Sequence, residues 1–230
     1  MTSVDKTSSS DVACHTDDDD DTPSSTHNNN PLCINMKYSI KPECRDEFLS
    51  LILEQQKEVL SKETTLQYVV GEDVSTPNTF YIHQQYSGDD AHTPKEVNND
   101  WFTNNDDDQP IIEYYYSHHT PQHIPIRSAY CVHVELYINP SVLPEFTSVI
   151  QNNSFGSNND EPLCLQYVYG ESTTTPHKFI FHEEYTGDND GKEGFDAHAN
   201  APHIKVWEEF AAKENVFTKD PVVHFFKSIC

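Results

Sequence analysis

The sequence has few positively charged side chains. Its 230 residues include 14 Lys and Arg against 38 Asp and Glu, which gives a formal net charge of −24. The only arginines are Arg45 and Arg127. An acidic surface repels nucleic acid and anionic lipid, and two arginines supply little for a bidentate phosphate clamp. We therefore expect no nucleic-acid partner and no membrane partner, and neutral or aromatic substrates remain open.

The sequence also lacks paired metal-binding cysteines and long apolar runs. No two of its six cysteines have the C-x-x-C spacing, and no zinc-site spacing is present. No apolar run approaches the ~20 residues of a membrane-spanning helix. The N-terminus does not have the basic-then-apolar pattern of a signal peptide. We therefore expect a cytoplasmic protein with reduced thiols, no metal site and no cofactor.

The first 31 residues differ in composition from the rest. They contain seven Asp, one Lys and almost no large apolar side chain, so their net charge is −6. Such a segment cannot bury enough apolar surface to offset the entropy of ordering. We predict a disordered acidic tail. The remaining residues still carry a net charge of −18, so the folded part is acidic as well.

The chain after the tail repeats itself once. Residues 33–48 align with 131–146, and LQYVVGE at 66–72 aligns with LQYVYGE at 165–171. Three later blocks also match in order: 80–89 with 179–188, 90–92 with 196–198, and 110–115 with 221–226. An ordered series of matches at nearly constant spacing indicates an internal duplication of a domain-sized unit. The predicted divisions are a tail (1–31), a first repeat (32–117), a linker (118–128) and a second repeat (129–230).

Each repeat is expected to have the element order β-α-β-β-α-β. Residues 132–138 alternate apolar and polar side chains, as a half-buried strand does. Pro42 or Pro140 then opens a helix, since proline suits a first helical turn. The helix of the first repeat has apolar residues at helical spacing as far as Leu60. We expect the matching helix of the second repeat to be cut short by QNNSFGSNND.

Two further strands at 165–170 and 179–185, a second helical region and a last strand at 222–226 complete the second repeat. This is the order of the ferredoxin-like α+β unit, an antiparallel sheet with helices on one face. Because the other face must also be buried, we predict that the two repeats pack sheet to sheet as an intramolecular pseudo-dimer. Further oligomerisation is left open.

The segment FDAHANAPHIKVWEEF at 195–210 is the richest in chemically useful side chains. Pro202 would break a continuous helix at a cost of ~3 kcal/mol. We therefore predict a short turn that contains Phe195 and His198, a break, and a new helix that begins at Pro202. The break would place His198 where two backbone segments meet.

His203 and Trp207 lie on one face of the predicted new helix. Together with His198 they would lie near Glu183 and Tyr185 of a strand and form a polar corner in an aromatic pocket. The same residues also have a structural interpretation, in which Trp207 packs on the sheet and His198 binds a backbone carbonyl. His83 and His182 fall on the opposite strand face from Glu183, so we place both outside this group.

The motifs F-I-F-H-E-E-Y, F-D-A-H, A-P-H-I-x-x-W and V-V-H-F-F, in this order, resemble the antibiotic biosynthesis monooxygenase (ABM) domain family. The resemblance covers about 131–227 and, more weakly, about 33–116. It implies a dimeric α+β barrel built from ferredoxin-like subunits. Some members of this family oxidise quinols or polyketide-like phenols with dioxygen and no cofactor, whereas others degrade haem, process small signalling molecules or have no known activity.

The resemblance places a site in the second repeat. His198 and His203 match the H-x-x-x-P-H helix break of the family, Trp207 matches the next aromatic residue, and Glu183 and Tyr185 match the E-x-aromatic strand end.

The first repeat looks degenerate by the same comparison. It retains Tyr86, His92 and Trp101 as possible counterparts of the site residues. It has Gln84 in place of the strand glutamate and Val97 in place of the second histidine. We therefore expect any site to lie in the second repeat.

Two hypotheses follow for function. The first is a cofactor-independent monooxygenase that oxidises a small phenol or quinol with dioxygen, with His198 or His203 as the general base. The residues that bind its aromatic substrate would be Trp207, Tyr185, Glu183 and Phe195. The second is a non-catalytic binding or assembly module, in which duplication supplies a stable closed barrel and the histidines are structural.

Overall fold

The computed structural model of the protein describes four stretches of the chain, residues 30–88, 97–102, 109–119 and 128–229. Residues 1–29 of the predicted tail, residues 120–127 of the predicted linker, and His92 lie outside the described residues. None of the described helices is long and apolar enough to cross a membrane. The four cysteines among the described residues are not joined to one another by disulfides.

The second repeat contains all of the predicted elements; in the first, the described residues contain the four strands and the first helix, and the second helical region has only a 3-10 turn at Asn99–Trp101. The first has β1 (Leu32–Ser39), α1 (Arg45–Leu60), β2 (Thr65–Asp73), β3 (Thr79–Tyr86) and β4 (Ile111–Tyr116). The second has β5 (Tyr130–Ile138), α2 (Leu143–Asp160), β6 (Cys164–Glu171), β7 (Lys178–Tyr185), α3 (Lys192–Ala199), α4 (Pro202–Ala211) and β8 (Phe217–Ser228). Short 3-10 turns that begin at Pro42 and Pro140 lead into α1 and α2, as proline favours.

The strands form one antiparallel sheet in the order β4-β1-β3-β2-β8-β5-β7-β6. β2 pairs with β8 and joins the two repeats on one side. On the other side Tyr115 forms a bridge with Ser172, and the amide of His118 donates to the carbonyl of Tyr169 at 3.0 Å. The sheet therefore closes into a barrel with two seams between the repeats, one where β2 meets β8 and one where β4 meets β6. This fits the predicted α+β pseudo-dimer.

A glycine lies at each seam. A Cβ atom on Gly71 would come within 2.6 Å of the carbonyl oxygen of Lys227, and one on Gly170 would come within 2.1 Å of that of Tyr116. The two glycines belong to the matching blocks VVGE and VYGE of the repeats. Each lets the strand of the other repeat approach closely enough to pair.

The central strands β3 and β7 are buried along their whole length, because one face meets the helices and the other faces the barrel interior. The helix side is apolar, with α1 packed on one cluster through Phe48 and α2 on another through Phe146. The interior is unusually polar; its buried side chains include Asn35, Gln67, His83, Gln85, His133, Gln166, His182 and Glu184. Burial, followed by the charge of neighbouring imidazoles, lowers the pKa of His83 and His133.

The prediction that the first helix of the second repeat is cut short was wrong. QNNSFGSNND continues α2 to Asp160. A Cβ atom on Gly156 would lie 2.4 Å from Nδ1 of His203, so the glycine lets α4 pack closely. Asn153, Ser154 and Ser157 are buried. The weak helix propensity of these residues is overridden because the helix packs against the sheet and α4.

Candidate functional site

Two short helices meet at the break that the sequence predicts. α3 ends at Ala199 and α4 begins at Pro202, whose fixed φ suits a first helical turn. His198 lies in the last turn of α3, and His203 lies in the first turn of α4. The centroids of their rings are 6.0 Å apart. The break therefore brings both predicted histidines to the same corner of the second repeat.

Glu161, just beyond the end of α2, joins the two histidines. Its Oε1 atom lies 2.6 Å from Nε2 of His203 and 2.9 Å from Nδ1 of His198. Oγ of Ser157 lies 3.3 Å and 3.4 Å from the same two nitrogens. The carboxylate can only accept, so each imidazole directs an N–H toward it. The side chains of His198, His203 and Glu161 are 7%, 11% and 10% exposed, so solvent screens these contacts little.

The charges of this cluster support one another. Burial alone would lower the pKa of His198, but its hydrogen bond with Glu161 and the charges of Glu183 and Glu161 raise that pKa above its usual value. Burial alone would raise the pKa of Glu161, but hydrogen bonds from His198 and His203 bring it below its usual value. Both shifts therefore favour the pair formed by the Glu161 carboxylate and the His198 imidazolium.

β7 supplies two further predicted residues beside His198. The hydroxyl of Tyr185 donates a 2.8 Å hydrogen bond to Oε2 of Glu183, and both side chains are buried. The ring of Tyr185 lies 5.1 Å from that of His198. Burial raises the pKa of Glu183, although His198 and the Tyr185 hydroxyl act in the opposite direction. Glu183 therefore retains a proton more readily than an exposed glutamate.

Phe195 on α3 forms an aromatic wall next to this corner. Its ring lies 5.5 Å from Tyr130, 5.8 Å from Tyr185 and 5.2 Å from Phe225, and 6.5 Å from His198. Offset and edge-on contacts of this kind are favourable for aromatic rings and for a flat aromatic guest. The structure thus brings together five of the six site residues predicted in the second repeat: His198, His203, Glu183, Tyr185 and Phe195.

Trp207 is the sixth predicted residue, and it packs elsewhere. It lies one helical turn beyond His203 and contacts Phe146, with ring centroids 6.5 Å apart. Trp101 makes the same 6.5 Å contact with Phe48 in the first repeat. Because both repeats make the same contact, we interpret the two tryptophans as packing residues and not as substrate-binding residues.

The first repeat keeps the strand part of the site, and it has valines at the positions of Ser157 and His203. Tyr86 donates to Gln84, as the matching tyrosine of the second repeat does to its glutamate. Val59 takes the position of Ser157 when the two helices are aligned on their matched phenylalanines. Both Val59 and Val97 pack in the apolar core of this repeat. In the described residues, which do not include His92, the polar cluster occurs in the second repeat, where the sequence comparison predicts a site.

A family model described as antibiotic biosynthesis monooxygenase matches residues 31–94 and 129–209 of this chain. The protein belongs to the antibiotic biosynthesis monooxygenase family. The two matched segments fall in the two repeats, so the chain carries two tandem ABM domains.

Solved structures of the same type cover most of the chain. It is similar to a candidate monooxygenase from Fusobacterium nucleatum subsp. nucleatum ATCC 25586, with a TM-score of 0.70 at 14% identity over 87% of this chain and 93% of that one. A candidate monooxygenase from Lactobacillus acidophilus NCFM has a TM-score of 0.67 at 16% identity over 87% and 98%. An anthrone oxidase-like protein has a TM-score of 0.55 at 14% identity over 88% and 92%. At these identities the likeness shows the fold. No curated protein matches the chain.

The sequence did not predict two members of the histidine–carboxylate cluster, Glu161 and Ser157. Ser157 lies in QNNSFGSNND, which the sequence predicts to end the helix, and Glu161 follows it directly. One signal could have identified Ser157. It follows Phe146 and Ile150 on the buried face of α2, where the matching position of the first repeat is the apolar Val59. A buried polar residue at a position that is apolar in the other repeat indicates a polar partner on a neighbouring element.

The same cluster offers a set of metal ligands that the sequence analysis did not expect. Glu161, His198 and His203 present one ligand atom each within 4.8 Å of one another, and Ser157 adds a hydroxyl oxygen. Two imidazoles and a carboxylate suit zinc or iron. The arrangement can therefore either move protons or hold a cation, and an experiment must separate the two.

Proposed function

We propose that this ABM-family protein is a monooxygenase that oxidises a small phenol or quinol with dioxygen, without a bound cofactor, at the cluster around His198. The observation that carries the proposal is the buried contact of 2.9 Å between Glu161 and Nδ1 of His198, beside the rings of Tyr185 and Phe195. It combines a histidine base with an aromatic wall. Family membership supports the oxygenase class.

His198 acts as the general base. Because Glu161 holds its Nδ1–H, the other ring nitrogen, Nε2, is the one that exchanges a proton with the substrate. His198 is chosen over His203 because it is nearer the aromatic wall and more deeply buried. His203 donates to the same carboxylate oxygen and thereby positions Glu161.

The substrate supplies the electrons. Oxidation of a phenol at a ring C–H to the corresponding quinone removes four electrons, which is what one O2 accepts. His198 takes the phenolic proton, the phenolate transfers an electron to O2, and the radical pair joins as a C–O–O bond at the ring carbon. The peroxide takes up a proton, and loss of water with the ring hydrogen leaves a C=O group. One oxygen atom enters the product and the other leaves as water.

The surroundings of His198 favour this chemistry by excluding water. Tyr167, Tyr185 and Phe195 enclose its ring, so charge transfer proceeds in a poorly solvated space. In this proposal α3 moves outward with Phe195 to admit the substrate. The loop before α3 contains four residues with positive φ, which makes it the place where such a movement is absorbed: Gly187, Asn189, Asp190 and Gly191.

The test is oxygen uptake by metal-free protein with a panel of hydroquinones, naphthols and anthrones, together with ligand-induced changes in melting temperature. We expect oxygen uptake with one class of these compounds. One molecule of quinone product should form for each O2 consumed, and a chelator should leave the rate unchanged. A rate that falls on chelation and returns with one metal ion would overturn cofactor independence. Absence of both uptake and a melting shift would favour the non-catalytic module.

A further inference from the structure

The centre of the barrel contains three buried imidazoles that the oxygenation site does not use. His83 and His182 are matched residues of the two repeats, and their rings stack with centroids 3.7 Å apart and an interplanar angle of 12°. His133 on β5 is the third, with its ring centroid 5.1 Å from that of His182. The three are at most 5% exposed, and one nitrogen from each lies within 4.8 Å of the others.

Hydrogen bonds on the far side of two rings leave one nitrogen of each ring as an acceptor. Nε2 of His182 lies 2.8 Å from Oε1 of Glu184, so it carries the proton and Nδ1 has the lone pair. Nδ1 of His83 lies 2.6 Å from Oδ1 of Asn35, whose amide nitrogen donates to the carbonyl of Phe181. Nε2 of His83 therefore has the lone pair, and it accepts a 2.7 Å hydrogen bond from the amide nitrogen of Gln85. Carboxylate or amide oxygens that hold the distal N–H are the usual outer partners of metal-binding histidines.

The interior also contains two amide oxygens that lack a donor. In the part of the chain that the structure describes, Oε1 of Gln85 and Oε1 of Gln166 are buried without a hydrogen-bond partner. The amide nitrogens of both side chains donate to a single oxygen, Oε1 of Gln67, at 2.9 Å and 2.8 Å. Buried acceptors without donors are rare in folded proteins. Next to the carboxylate of Glu184, they indicate a place for a cation.

We propose that the barrel interior binds one divalent transition-metal ion of the zinc type through Nε2 of His83, Nε2 of His133 and Nδ1 of His182. Imidazole nitrogens suit Zn²⁺, Ni²⁺, Cu²⁺ and Co²⁺, and a three-histidine set leaves a fourth position for an amide oxygen or water. Binding replaces the 3.1 Å contact between His133 and His182 and the 2.7 Å hydrogen bond from Gln85 to Nε2 of His83. The ring of His83 tilts out of its stack, and the freed amide of Gln85 turns its unpartnered oxygen toward the ion. Glu184 offsets part of the charge of the ion and fixes the ring of His182.

A small cavity reaches one member of this group, His133. It has a volume of about 30 Å³, room for about one water molecule. Glu113 and Glu135 also line it and attract a cation toward the interior. Lys178 bonds both carboxylates, so an ion that enters displaces or passes that ammonium group.

The repeats themselves supply the variants that test the proposal. The first repeat has Asn35 where the second has His133, and Gln85 where the second has Glu184. His133→Asn therefore removes a ligand, and Glu184→Gln removes only an outer partner, while each inserts a side chain that the other half of the barrel already accommodates.

The probe is Co²⁺ added to chelator-treated full-length protein, followed by visible absorption, with Zn²⁺ used for melting-temperature shifts. We expect one Co²⁺ per chain with the d–d bands of a nitrogen-rich site, and a higher melting temperature with Zn²⁺. His133→Asn should abolish both signals. Glu184→Gln should weaken affinity by roughly 10–100-fold, as loss of an outer partner does. Circular dichroism of each variant checks that it is folded.

The matched control is His203→Val, which removes a ligand from the Glu161 cluster and inserts the residue of the first repeat, Val97. Signals that persist in His203→Val and disappear in His133→Asn place the ion in the barrel. Signals lost in His203→Val and kept in His133→Asn place it at the outer cluster and overturn the proposal, as does failure of the wild type to bind either ion. No oxygenation assay is involved, so the result is independent of the proposed function.

Discussion

Tyr185 donates a 2.8 Å hydrogen bond to Glu183, and it lies with its ring 5.1 Å from that of His198. The first repeat makes the matching contact between Tyr86 and Gln84. One strand geometry is thus present twice, and in the described residues only the second copy is coupled to a histidine–carboxylate cluster. The duplication therefore provides an internal control for each test of the site.

Tyr185→Phe and Tyr86→Phe are expected to have similar effects on stability and different effects on turnover. Each removes one buried hydroxyl and its hydrogen bond, a loss of about 1–2 kcal/mol in the free energy of unfolding. Only Tyr185→Phe should lower kcat/KM with a phenol substrate. Urea unfolding and oxygen uptake measure the two quantities, and an equal fall in kcat/KM for both variants would argue against a site in the second repeat.

The Glu161–His198 pair should make stability depend on pH within a defined window. The raised pKa of His198 stabilises the fold below the unfolded-state value of about 6.5, and this contribution is lost as pH rises through the raised pKa. The lowered pKa of Glu161 stabilises it above about 4.3, and this contribution is lost as pH falls through the lowered pKa. Between about pH 4.3 and 6.5 both contributions are present.

His198→Gln should therefore destabilise the protein most within that window and less above it. The measurement is the free energy of unfolding of both proteins in urea from acidic to mildly alkaline pH. A difference between wild type and variant that stays constant across this range would show that the pair has no linked titration in the folded state.

The rate of oxidation should rise with pH, because the base must be neutral to accept a proton. The raised pKa of His198 places the midpoint of log kcat/KM above the ordinary value of about 6.5. Stopped-flow oxygen uptake across this range gives the profile. A midpoint well below that value, or one that is unchanged in Glu161→Gln, would show that Glu161 does not raise the pKa of the catalytic base.

Gly170→Ala should open one seam of the barrel. Its Cβ atom would lie 2.1 Å from the carbonyl oxygen of Tyr116, which is backbone and cannot rotate away, so we expect a loss of about 1–3 kcal/mol in urea unfolding. Gly88→Ala is the control, because nothing lies within 4 Å of the added atom. Equal stability of the two variants would contradict the close strand approach at this seam.

Local patterns in the sequence predicted the elements and part of the site. Alternation predicted β5, and Pro202 predicted the break that brings His198 and His203 together. Propensity failed for α2, where burial of Ser157 and the close approach at Gly156 outweigh weak helix formers. Glu161 was missed because its contacts depend on where that helix ends.

The polar barrel interior could not be predicted in the same way. The alternation of β7 correctly placed His182 on the face opposite Glu183. His133 is its cross-strand partner on β5 of the same repeat. His83 comes from β3 of the other repeat, and it meets His182 only when the two seams close the sheet. Contacts of this kind depend on strand order and register across the two repeats, which no local periodicity contains.

The most direct test of the proposed function compares oxygen uptake by wild type and His198→Gln with the phenol class that raises the melting temperature of the wild type. Glutamine can still donate to Glu161 but cannot serve as a base near neutral pH. The account predicts that substrate still binds while kcat falls by about 10²–10⁴-fold. An unchanged kcat would contradict it and would favour the structural interpretation of His198 at the helix break.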